Sequence, residues 1–131
     1  MTNSQEVETL ARRCIELYNK RSLEWVDTCY AENVEWFELP LPSTPSGQHG
    51  NQAFLRNVAA RLLSLFLDRQ MTIHNLVATD NSVALELEWK GTASATIGTF
   101  KIGSLVQYRV ASFLTFAHGL IIKQVDYCVQ I

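Results

Sequence analysis

The 131 residues include only three cysteines, three histidines and three prolines, and each scarcity removes a class of protein. Cys14, Cys29 and Cys128 are odd in number, widely spaced and form no CxxC pair. That pattern argues against a disulfide framework and suits a reducing, cytoplasmic setting. His49, His74 and His118 are scattered without an HxxxH pair, so the spacing offers no metal site. No apolar run approaches the roughly 20 residues that cross a bilayer; the longest, Leu62 to Leu67, is far too short. The start, MTNSQEVETLARR, lacks the charged-then-apolar pattern of a signal peptide. Positive charge is not in excess either: 11 Lys and Arg against 13 Asp and Glu give a net charge of −2. Without a basic stripe to neutralise phosphates, nucleic acid is not an expected partner, and neither is a membrane.

What is present fits one globular domain over residues 1–131. Hydrophobic residues make up 47% and charged residues 18%, enough apolar mass to bury a core. Val7, Leu10, Cys14, Leu17 and Tyr18 recur at helical steps, which predicts a helix from about Ser4 to Lys20. Ser22 is expected to cap a short second helix carrying Leu23, Val26 and Tyr30. Val34 to Leu39 reads as a strand with Val34, Trp36 and Glu38 on one side. Pro40, Pro42 and Pro45 turn the following ten residues into a loop. A third, broadly apolar helix is predicted from Asn51 to Leu67. Alternation then predicts strands over Met71–Thr79, Val83–Lys90, Ser104–Phe116 and Leu120–Val129, with Gly91 to Gly103 a loop or bulged strand end. Three N-terminal helices followed by antiparallel strands give an α+β layer fold.

Three stretches carry a family resemblance: QEVETLARRCIELYNKRSLEWVDTCYAENVEWFELP, the loop closing on His49-Gly50, and FLTFAHGLIIKQVDYCV. Together they resemble the SnoaL-like and ketosteroid-isomerase-like proteins of the nuclear transport factor 2-like superfamily, with its cystatin-like cone fold. The resemblance implies a strongly curved, mainly antiparallel mixed sheet around a long helix, a conical internal pocket, and homodimers that pair through the outer sheet face. It implies a general base at Glu38, just before the proline of the first loop, and a pocket tyrosine at Tyr30. The oxyanion tyrosine of the isomerases falls at Cys14 and their oxyanion aspartate near Ser112, so steroid isomerisation does not carry over. Members similar to limonene-epoxide hydrolases and SnoaL-like cyclases place an aspartate in the pocket from an Asp-Tyr step, which here is Asp126. Their Arg-x-Asp partner is missing; Glu86 and Glu88 stand nearest, and alternation turns them outward.

The candidate catalytic residues are therefore Glu38 and Asp126, two carboxylates expected to reach one apolar cavity from separate sides and to divide acid and base work. Tyr30, Trp36, Cys14, Ser112, Gln124 and Cys128 are the candidate substrate-binding residues. Tyr18, Trp89 and Tyr108 are further aromatics for the cavity wall, and His49 stands either at its mouth or facing water. The expected activity is cofactor-independent isomerase, cyclase, dehydratase or hydrolase chemistry on a small apolar substrate. The alternative is a non-catalytic module of the same fold that binds an apolar small molecule or dimerises.

Overall fold

A computed structural model describes residues 3–42 and 44–131; Met1, Thr2 and Ser43 of the proline-rich loop lie outside the described residues. Helix α1 runs Ser4–Asn19, and the Asn3 side chain caps it by accepting from the Glu6 amide. Its buried stripe is Val7, Ala11 and Tyr18. Helix α2, Glu24–Cys29, buries Trp25, Val26 and Cys29. Leu23 holds its cap position, and the Ser22 hydroxyl accepts from the Glu24 amide at 3.4 Å. The chain turns extended at Tyr30 without a break, so strand β1 covers Tyr30–Glu38 rather than beginning at Val34. Pairing of Tyr30 with Ile121 of the last strand extends it backwards, a contact that local propensity cannot register.

Residues 48–50, expected as loop, form a three-residue strand β2 (Gln48–Gly50) antiparallel to β1. A segment this short has no alternation to read, and its partner makes the strand. Helix α3 spans Gln52–Leu65 with Asn51 as its cap. It ends before the expected Leu67 because Phe66 leaves helical geometry at φ −139. Gly50 opens α3 for a steric reason: a Cβ there would lie 2.4 Å from the Phe54 ring.

Strands β3 (Gln70–Ala78), β4 (Ser82–Thr92), β5 (Leu105–Ala117) and β6 (Leu120–Gln130) follow as antiparallel neighbours. The six-stranded sheet has the order β2-β1-β6-β5-β4-β3, with β1 and β6 parallel. Three helices and one mixed sheet make the α+β fold. Its core lies between the helices and the inner sheet face, where Trp25, Trp36, Leu55, Leu85, Trp89 and Ile121 are buried. Glu86 is exposed on the outer face, paired with Arg109 at 3.2 Å.

Two bulges decide which side chains face inward. In β3, His74 is the extra residue between Ile73 and Asn75, so Ile73 and Leu76 both point to the core. In β6, Thr115 and Phe116 oppose Lys123 and Ile121, leaving Ile122 unpaired. Ile121 and Gln124 are consequently both buried, three residues apart. Uninterrupted alternation from Ile121 would have turned Gln124 and Asp126 to the outside.

Candidate active site

Helix α3 and the inner sheet face enclose a cavity of about 480 Å³, within the range of small-molecule sites. Its walls are mostly apolar: Val58 and Leu62 from α3, Trp36 and Trp89 from the sheet, Ile97 and Phe100 from the loop after β4. The two loop residues escaped the sequence reading, because they sit in a stretch otherwise rich in Thr, Ser and Gly. An isolated pair of large apolar residues in such a stretch was the available signal. Ile97 and Phe100 bridge each other across a tight turn, which gives that loop a shape of its own.

Both candidate carboxylates line this cavity. They do not stand on separate walls. Glu38 and Asp126 are direct partners across the parallel β1–β6 pair, about 4.8 Å apart at the backbone. The family resemblance implies that each faces inward on its own strand, but only the β1–β6 pairing makes them neighbours.

Asp126 sits in a fully connected polar network. The Ser112 hydroxyl donates to its Oδ1 at 2.5 Å. The Gln124 amide donates to both oxygens at 3.0 Å. Gln124 is in turn fixed by Tyr30, whose hydroxyl donates to Gln124 Oε1 at 2.6 Å. Because that oxygen is held, the Gln124 nitrogen must face Asp126. All four residues are buried. Burial pushes the Asp126 carboxyl up to about 6; the Ser112 and Gln124 hydrogen bonds oppose the rise and the neighbouring Glu38 charge adds to it.

Glu38 is less enclosed, accepting one hydrogen bond from Gln48 of β2 at 3.1 Å. Burial raises its pKa above the ordinary carboxylate value, with the Gln48 bond acting the other way. Gln48 was missed in the sequence, since β2 itself was. Gly47, at φ +71, packs beneath this pair; a Cβ there would meet the Glu38 carbonyl oxygen at 2.7 Å.

The remaining candidates divide between two spaces. Trp36, Gln124 and Cys128 line the large cavity, and burial pushes the Cys128 thiol up to about 12. Tyr30, Cys14 and Ser112 do not line it. They surround a second space of about 50 Å³ on the far side of Asp126 and Gln124. Tyr30 and Ser112 thus hold Asp126 from behind. His49 is exposed and stacks on Phe37, 6.0 Å between ring centres. Tyr18, Trp89 and Tyr108 do line the cavity. Among the described residues no group of His, Cys, Asp and Glu could hold a metal ion. No helix there is long and apolar enough to cross a membrane.

A hydrogen-bonded carboxylate with a raised pKa, opening on an apolar cavity beside a second carboxylate, can take and return a proton near neutral pH. Solved structures share the fold. The chain aligns with AclR, a candidate hydroxylase from Streptomyces galilaeus, at 17% identity and a TM-score of 0.80, covering 95% of this chain and 79% of that one. IdmH, a candidate polyketide cyclase from Streptomyces antibioticus, aligns at 18% and 0.78, covering 92% and 90%. A candidate ketosteroid isomerase from Kribbella flavida aligns at 22% and 0.71, covering 100% and 83%. No curated protein matches the sequence significantly. The sequence itself matches the SnoaL-like domain over residues 11–124, nearly the full length of the cavity-forming fold, and the chain belongs to the SnoaL-like domain family.

Proposed function

We propose that the protein is a cofactor-independent acid–base enzyme of the isomerase or cyclase type, acting on a small or medium apolar substrate held in the 480 Å³ cavity. In this reading the sheet curls around α3 as a cone, with the ligand inside. The observation that carries the proposal is the Tyr30–Gln124–Asp126–Ser112 chain of hydrogen bonds beside Glu38. A buried carboxylate given three hydrogen bonds by two donor groups is oriented and kept ionisable, which a purely apolar binding pocket does not need. Asp126 serves as the base, since its raised pKa leaves it ionised yet basic at neutral pH. Glu38, one strand away and nearer the loop, receives the proton from Asp126 and returns it to the substrate. The neighbours named as polyketide cyclases and a ketosteroid isomerase act as support for that class of chemistry.

The decisive measurement is turnover of a panel of apolar ketones, polyketide-like β-diketones and epoxides by the parent, Glu38→Gln and Asp126→Asn proteins. The proposal expects a parent rate that rises with pH through about 6 and falls at least 100-fold in Asp126→Asn. Ligand binding that survives in all three proteins without turnover in the parent would replace the enzyme with a binding module.

Homodimer pairing through the outer sheet face belongs to the same proposal. Phe37, Val125, Phe113, Ala84 and Val77 are successive cross-strand partners on that face. They form a row across the sheet, with Phe113 50% and Val77 61% exposed. Tyr127 stacks edge-on against Phe113 beside it. A contiguous apolar row of this kind is what a self-complementary interface covers.

A further inference from the structure

The wall of the large cavity holds a third kind of group besides its apolar side chains and the two acids. Among the described residues that line it, Arg61 is the one cation. It stands on α3 between Val58 and Leu65, one turn from each, and both of those line the cavity too. The other lining residues are buried or half-buried, whereas Arg61 is exposed. That places it at the rim, where the cavity meets solvent. A long side chain there lays its methylenes along the apolar wall and keeps its guanidinium wet.

Among the described residues Arg61 joins no ion pair. It also stands clear of the two acids. Burial and Gln48 shift the Glu38 carboxyl; burial, Ser112, Gln124 and Glu38 shift that of Asp126; Arg61 moves neither. The cation is thus a separate pole of the cavity.

Thr44 supplies a second, independent observation. The turn that carries it is pinned by its backbone: Leu41 and Thr44 exchange hydrogen bonds at 3.1 and 3.0 Å, and the Gly47 amide donates to the Thr44 carbonyl at 2.8 Å. Its hydroxyl oxygen is shut off from solvent, yet has no hydrogen-bond partner among the described residues. A buried hydroxyl left unpaired is costly. Thr44 lines the cavity, as does Leu41 from the same turn, so a polar ligand atom there would satisfy it.

We propose that Arg61 and Thr44 form an anion subsite at the rim of the cavity, and that the substrate is an apolar molecule carrying a carboxylate. The inference rests on the acid–base reading and narrows its substrate. The guanidinium fork matches a carboxylate with two parallel hydrogen bonds, and the Thr44 hydroxyl donates another. Because Arg61 stays exposed, the carboxylate keeps part of its hydration and the desolvation cost is small. Glu38 and Asp126 repel a third negative charge, so the acidic end of the substrate stays at the rim and the neutral end goes in first. The apolar body then lies beside Trp36, Leu62 and Phe100, with its reacting carbons toward the two acids. The subsite therefore sets orientation as well as affinity.

2-Naphthoate and 2-naphthamide distinguish this subsite from an arginine that only solvates α3. They share one apolar body and nearly one shape, and at neutral pH they differ by one negative charge. Calorimetric titration at low salt should show the parent binding naphthoate about fivefold more tightly than naphthamide, and high salt should shrink that preference toward unity. Arg61→Gln, a change at an exposed position, should abolish the preference and leave naphthamide within about twofold. Arg61→Lys should restore part of it, since a point charge lacks the fork. Thr44→Val should weaken naphthoate about threefold and naphthamide less. Equal affinity for the two probes in the parent would overturn the inference, and so would a preference that survives Arg61→Gln. Naphthamide binding without a charge preference, in a parent that turns over neutral ketones, would leave the acid–base reading standing without the subsite. An Arg61-dependent preference in a parent that turns over nothing would do the reverse. Binding of neither probe would overturn the subsite together with the cavity as a place for apolar ligands.

Discussion

Asp126→Asn should stabilise the protein at neutral pH and weaken it slightly in acid. Burial holds the Asp126 carboxyl at about 6 against an ordinary 3.8. Between those values the folded state binds a proton that the unfolded state has released. Stability therefore falls as pH rises through this window and is level above it. At 1.36 kcal/mol per pH unit the loss is roughly 3 kcal/mol by pH 8. Asparagine never ionises, so it escapes the loss. Its own cost is one mismatched contact, because the Gln124 nitrogen donates to both carboxylate oxygens and one of them becomes an NH₂. A mismatch of this kind costs about 1 kcal/mol. The variant should thus gain about 2 kcal/mol over the parent at pH 8 and lose about 1 kcal/mol at pH 4. Urea unfolding followed by the fluorescence of the buried Trp25, Trp36 and Trp89, at fixed protein concentration, measures both differences. A difference that does not change with pH, or a parent that gains on the variant as pH rises, would refute the placement of a desolvated carboxyl at this site.

Three other outcomes follow from the same geometry. Tyr30→Phe frees the Gln124 amide, so kcat should fall about tenfold with little change in KM, and the pH–rate midpoint should rise because Asp126 loses donors; an unmoved midpoint would count against Tyr30 as the anchor of the network. Gly50→Ala forces a methyl into Phe54 at 2.4 Å and should cost about 1–3 kcal/mol in urea unfolding. Phe113→Glu places a charge in the middle of the exposed apolar row and should break the dimer proposed above, giving a monomer by sedimentation without loss of helix content by circular dichroism.

Periodicity and turn chemistry in the sequence determined most of the elements, because helices of two to four turns and long alternating strands announce themselves locally. Asn51 before an apolar-striped run marks the start of α3, and Val83 to Lys90 alternates cleanly into β4. That Asp126 shares a face with Gln124 and Cys128 was readable from two-residue spacing in the last strand. What the sequence alone left open depends on pairing between distant segments. β2 exists only because β1 lies beside it. Tyr30 joins a strand only through Ile121. The bulge at Ile122 is invisible until β5 supplies a register to violate, yet it sets which face the whole of β6 presents to the core. The parallel β1–β6 pair alone makes Glu38 and Asp126 neighbours rather than opposite walls. Side-chain chemistry is local and travels with the residue. Proximity belongs to the chain's return on itself, and the acid pair and the Tyr30 anchor are both products of that return.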